Sequence, residues 1–259
     1  MQSTGARHDA AMTTDLLLDR ARRLWVELAV VPVQFSSPDG VNVAVSPGSR
    51  LCPPLWTGIV LLGDAGIVTV PSDQIAELMA GPARKLSPQD LVDADRLREI
   101  LPVLDVLGPA SLFYLDRADF RPMHAGAAVE EVPGDDDGLA ALLARAGEED
   151  AGESGLEDIT SPACVVHDGD DVVAAAGYRA WPQSVAHLGV LVAPHCRGRG
   201  LARAVASAAV ARALDAGLLP QWRARPHPSK RVALALGFRE LGAQLSVRLD
   251  DGGPHGQGR

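Results

Sequence analysis

Apolar positions along the chain fall into runs of two kinds. Residues 15–31 hold Leu16, Leu17, Leu18, Ala21, Leu24, Trp25, Leu28 and Ala29, at spacings that fit an amphipathic helix. The polar, small residues before about Thr13 are expected as a disordered tail. Shorter runs at 31–35, 41–45, 56–62 and 67–70 predict strands, with Gly63-Asp64-Ala65-Gly66 as a turn. Ser72 or Asp73 opens a helix through Leu78. Ser87-Pro88-Gln89-Asp90 opens another to about Ile100, with a capping hydroxyl, proline at the first helical position and an acid in the first turn. Residues 111–115 predict a strand.

The pattern restarts near His124 to Ala127. Ala128, Val129 and Val132 predict a strand, and Asp135 to Asp137 lead an apolar helix over 139–146. Residues 148–158 read as an acidic loop with at most one helical turn. Runs at 163–166 and 172–178 flank His167-Asp168-Gly169-Asp170, a hairpin signal. A strand over 185–193 stops at Pro194, and an alanine-rich helix follows from about Gly200 to Ala216, capped by Gly217. A strand at 218–225 is interrupted by Pro226-His227-Pro228. Ser229 then opens a short helix to Leu236, and 238–249 complete the sheet as two strands joined near Gly242. Residues 251–259 are expected as a disordered tail.

At 259 residues the chain has room for one large domain or two modest ones. Its net charge of -9 argues against nucleic acid as a partner, since phosphate backbones require a basic face. Cys52, Cys164 and Cys196 stand far apart, with no paired or metal-ligand spacing, so no metal site is expected. No signal-peptide core and no apolar run of the roughly 18–20 residues a bilayer needs is present. A cytoplasmic protein without a membrane partner is the expectation.

Candidate chemistry concentrates between His187 and Ala202. An apolar strand ends in a basic, glycine-containing turn that leads into a helix. The first N–H groups of a helix lack partners within it, and the helix dipole places partial positive charge there. Gly198 and Gly200 let an anion approach the backbone, and Arg197 and Arg199 add charge. This describes a pyrophosphate cradle. A Walker loop is absent, and a dinucleotide fingerprint fails because Arg203 occupies its third glycine position. Arg197, Gly200 and Ala202 instead satisfy R-x-x-G-x-[GA].

With Val190-Leu191-Val192-Ala193-Pro194 before that loop and Leu236-Gly237-Phe238 after the short helix, residues 127–249 resemble the GNAT-type N-acetyltransferase superfamily. The resemblance implies an α/β (α+β) fold over 127–250: a mixed, mostly antiparallel twisted sheet flanked by helices. An additional N-terminal α+β module would span 1–126. The resemblance also implies acetyl-CoA as co-substrate. Its pyrophosphate would lie on the amides from Arg197 through Gly198, Arg199, Gly200 and Leu201 to Ala202. Its pantetheine arm would lie along Val190, Leu191 and Val192, near Ser229. The strand must part from a neighbour to admit that arm, and Gly189 is either a bulge or a packing glycine.

The sequence departs from the family in two places. Pro226 stands where an asparagine opens the short helix, and Ala233 stands where a tyrosine often serves as general acid. His187 and Tyr178 are the candidate catalytic side chains. His187 is read as base or proton relay, or else as a hydrogen-bonded core histidine. Tyr178 and Trp181 wall an acceptor pocket or are core aromatics. The acidic run from Glu148 to Asp158 either attracts a cationic amine or is a solvated loop. The function expected is transfer of an acetyl group from acetyl-CoA to an amine on a small molecule or peptide, by direct attack in a ternary complex. The alternative is a non-catalytic acyl-CoA sensor or an interaction module. The first half is read as completing the acceptor pocket, as a homodimer surface, or as a worn copy of the second half.

Overall fold

The computed structural model describes residues 4–35, 40–123, 128–182, 184–225 and 227–252, with side chains from residue 16 onward. The boundary expected at 126–127 and the proline at position 226 lie outside the described residues. The chain divides into two compact units, Met1–Leu112 with Leu241–Arg259, and Phe113–Glu240.

In the first unit α1 (Thr4–Ala29) is followed by β1 (Val41–Val45), β2 (Thr57–Leu62) and β3 (Ala65–Val70). Then come α2 (Asp73–Lys85), α3 (Pro88–Leu91), α4 (Ala94–Ile100) and the start of β4 (Val103–Tyr114). β1 runs parallel to β3, while β2 is antiparallel to β3 and to β10 (Arg239–Leu249). Leu17, Ala21, Leu24, Trp25 and Leu28 bury one face of α1. Ile75 and Met79 of α2 join Ile59, Val68, Leu245 and Val247 in a shared core.

In the second unit β5 (Glu130–Val132), α5 (Asp137–Ala146) and α6 (Glu148–Ser154) precede the hairpin of β6 (Ala163–Asp168) and β7 (Asp171–Ala180). β8 (Val185–Val192), α7 (Leu201–Asp215), β9 (Leu219–Ala224) and α8 (His227–Ala235) follow. Antiparallel pairing runs from β5 through β6 and β7 to β8, and β8 pairs parallel with β9. α7 lies against β6 to β9, because Ala206, Ala209 and Ala213 are buried and their methyl groups permit close approach. Both units therefore have mixed, mostly antiparallel sheets with helices packed on them. Among the described residues no helix is long and apolar enough to cross a membrane.

Several expected elements differ. The helix expected from Asp15 begins at Thr4, since nothing in the intervening stretch breaks it. Residues 31–35 form no strand: Pro32 removes a donor, and among the described residues no strand pairs with them. The helix expected to reach Ile100 restarts at Asp93, whose carboxylate accepts from the Asp95 and Arg96 amides. Residues 148–154 are helical rather than loop, with three acids in the first turn to favour the dipole. β10 is one strand, not two. Gly242 marks no turn; a Cβ there would lie 1.8 Å from the Leu61 carbonyl oxygen, so the glycine permits close strand approach.

Candidate functional site

β8 and β9 are paired only at their beginnings. The ladder runs Val185↔Leu219, Ala186↔Pro220, His187↔Gln221, and there it ends, although β8 continues to Val192 and β9 to Ala224. β8 stays in register with β7 to Val192. β9 is held elsewhere: the Trp222 indole N–H donates to Ser229 Oγ on α8 at 2.9 Å, and its ring meets Phe238 edge-on. The two strands part above the His187–Gln221 rung. Gly189 is not a bulge, because its pairing with Gly177 is regular. It is a packing glycine: a Cβ there would stand 2.7 Å from the Gly155 carbonyl oxygen.

The parting opens a cleft of about 560 Å³. Val190, Leu191 and Val192 line one wall, Trp222 and Arg223 the other, and Ser229 of α8 and Asp150 and Glu153 of α6 border it. At its end the chain turns through Pro194–Cys196, a single 3-10 turn with Cys196 buried, into the glycine loop. Gly198 and Gly200 have φ of +78° and +80°, values that side-chain-bearing residues adopt at a cost. A Cβ at Gly198 would meet nothing within 4 Å, so the backbone's handedness, not space, demands glycine there. Gly200 caps α7 without a side-chain bond, leaving the amides of Leu201 and Ala202 at the open end of a 15-residue helix.

Arg197, Gly198, Gly200, Leu201 and Ala202 line this cleft together with Val190, Leu191, Val192 and Ser229. Arg199 does not line it and reaches the Asp168 carboxylate at 3.5 Å. Arg203, disqualifying as a third glycine, does line it, and its Nε is buried with no partner among the described residues. A phosphate-bearing ligand fits these features: a positive-φ loop, open amides and an arginine donor without an acceptor.

Three of the six acids in the segment are ion-paired. Asp150 pairs with Arg197, Glu153 with Arg225 and Asp158 with Arg179. Those carboxylates answer arginines on and around the cleft, and they hold α6 beside it.

On the last paired rung His187 is half-buried and does not line the cleft. Its Nδ1 lies 2.9 Å from Gln221 Oε1, and Gln221 Nε2 donates to the Tyr114 hydroxyl at 3.0 Å. Trp181 stands edge-on, with ring centroids 5.7 Å apart. Burial, and then the Arg223 and Arg179 charges, push the imidazole's pKa down to about 4, against the opposing pull of the Gln221 bond and Asp158. His187 is therefore neutral at pH 7. Tyr178 lies beside Leu188 on the neighbouring strand, is buried in the core and does not line the cleft. Ala233 is fully buried and carries no proton. Gln221, Tyr114 and Arg223 were missed from the sequence because nothing local marks them.

A family model described as GNAT acetyltransferase matches residues 162–243, the stretch from β6 into β10. The match covers under a third of the chain, and over this segment the chain is similar to GNAT acetyltransferases. Similar solved structures include a putative GNAT-family acetyltransferase from Novosphingobium aromaticivorans, 22% identical, with 56% of this chain and 65% of that one covered and a TM-score of 0.44. The chain thus spans just under two thirds of that protein. A GCN5-related N-acetyltransferase from Kribbella flavida is 17% identical over 78% of this chain and 92% of that one, TM-score 0.46. A GNAT-family acetyltransferase from Colwellia psychrerythraea is 11% identical over 90% and 96%, TM-score 0.45. No curated protein matches.

Proposed function

We propose that the chain transfers an acetyl group from acetyl-CoA to the amine of a small molecule or peptide, by direct attack in a ternary complex. The observation that carries this reading is the parted pair β8/β9, opening onto the positive-φ glycine loop at the start of α7. The free backbone edge of β8 at Val190 to Val192 suits the amide-bearing arm of CoA, as a peptide adds to a sheet edge. The amides from Gly198 to Ala202, with Arg197 and Arg203, suit its pyrophosphate. A few charge-assisted bonds at about 1.5–3 kcal/mol each reach the roughly 8 kcal/mol of micromolar affinity.

The thioester supplies an activated acyl group and a thiolate leaving group. His187, on the last paired rung of β8 and β9, is taken as the group that receives the amine's proton. Cys196 borders the cleft at the glycine-loop end, where the pyrophosphate would lie and away from the thioester, which favours direct transfer over an acyl-enzyme. A cytoplasmic location accords with a CoA-dependent reaction. Calorimetry with acetyl-CoA, followed by CoA-thiol release over a panel of amines, tests the proposal. Micromolar binding and amine-dependent release are expected. Absence of binding refutes the cofactor assignment, and binding without release on any amine refutes catalysis.

A further inference from the structure

We propose that Gln221 and Tyr114 are positioning residues that hold His187 as its Nδ1–H tautomer, so that Nε2 carries the lone pair. Three strands converge here: β8 brings His187, β9 brings Gln221 at the last paired rung, and β4 brings Tyr114. Gln221 and Tyr114 are both fully buried. A buried amide is costly unless both of its ends are bonded, and the ends are not interchangeable: Oε1 only accepts and Nε2 only donates. Gln221 Nε2 donates to the Tyr114 hydroxyl. Its Oε1 then faces His187 Nδ1, which must supply a hydrogen.

A histidine side chain in water favours the opposite tautomer, with hydrogen on Nε2, so the arrangement reverses the ordinary preference. Burial first, and then the charges around the ring, keep it neutral. Arg223 of β9 and Arg179 of β7 both disfavour the imidazolium, and Asp158, itself paired with Arg179, opposes them weakly. Trp181 closes the ring's edge. When a proton reaches Nε2, the Nδ1–H bond to Gln221 stays as it is, so charging the base requires no rearrangement of its neighbours. In the acyl-transfer reading, on which only this use of the base rests, the C–N bond forms as the thioester C–S bond breaks. The amine's proton passes to Nε2, and CoA leaves as the thiolate.

The test is the ring-nitrogen spectrum of the full-length, 15N-histidine-labelled protein near pH 7, with His187 assigned by its loss in His187→Gln. The wild type is expected to show His187 with Nδ1 protonated and Nε2 bare. Gln221→Leu is expected to shift the population to Nε2–H and to move the pKa further down, because the bond that favours the charged form is gone. Tyr114→Phe, which keeps the ring and its packing, should mix the two tautomers. With an acceptor found, both variants should lower kcat about 10-fold or more while leaving the KM for acetyl-CoA in place. A wild-type Nε2–H tautomer, or a tautomer unmoved by both substitutions, overturns the proposal. The spectrum needs neither CoA nor acceptor. Calorimetry on the same samples reports the cofactor reading separately, so either can fail while the other stands.

Discussion

Acidification should destabilise the protein through His187 before it protonates most carboxylates. The folded state holds the imidazole's pKa down to about 4, against an ordinary value of 6.5, chiefly by burial. A group whose folded pKa is depressed contributes stability above its unfolded pKa, and this is lost as the pH falls toward the folded one. The window is therefore pH 6.5 down to 4. At pH 5 the unfolded imidazole is nearly all charged while the folded one is nearly all neutral, a gap worth about 2 kcal/mol at most. Half-burial of the ring reduces that figure toward about 1 kcal/mol. The perturbation is His187→Gln, which keeps a polar side chain and removes the titration. Urea unfolding of both proteins at pH 7.5, 6 and 5 gives the difference directly. The wild type should lose about 1–2 kcal/mol more than the variant between the first and last pH. Parallel curves would refute the claim that the surroundings of His187 disfavour its cation.

Gly200→Val forces a β-branched residue to φ +80° at the open end of α7, and should abolish acetyl-CoA binding by calorimetry while costing only about 1–2 kcal/mol of stability. Gly189→Ala places a methyl 2.7 Å from the Gly155 carbonyl oxygen, and a loss of about 1–3 kcal/mol is expected in denaturant unfolding; full stability would disprove that approach. Asp150→Asn releases Arg197 from its ion pair, and acetyl-CoA affinity at low salt should rise a few-fold, by about 0.5–1 kcal/mol, with a steeper salt dependence.

The glycine loop and α7 were legible in the sequence because their causes are local. Positive φ selects glycine at 198 and 200, and a run of alanines both forms a helix and thins its buried face. α6 was read as loop because the ion pairs that hold it join Asp150 to Arg197 and Glu153 to Arg225, partners 47 and 72 residues away. Gly242 was misread for a related reason: a turn and a close backbone approach select the same residue. Tyr114 and Gln221 stand 107 positions apart, and no spacing in the chain announces that they meet. Only the strand pairing brings them to His187.

The parting of β8 from β9 has a consequence for solubility. Two strands that separate midway expose backbone donors and acceptors in the interior of a sheet, where any extended segment of another molecule can add itself. Edges at the rim of a sheet are commonly guarded by lysine, proline or a bulge. Here the open stretch of β8 is Val190, Leu191 and Val192, with no charge among them. A ligand lying along that stretch acts as a temporary strand and seals it. The empty protein is therefore the form exposed to self-association, and a molecule that fills the cleft should slow its aggregation on heating as well as raise its melting temperature.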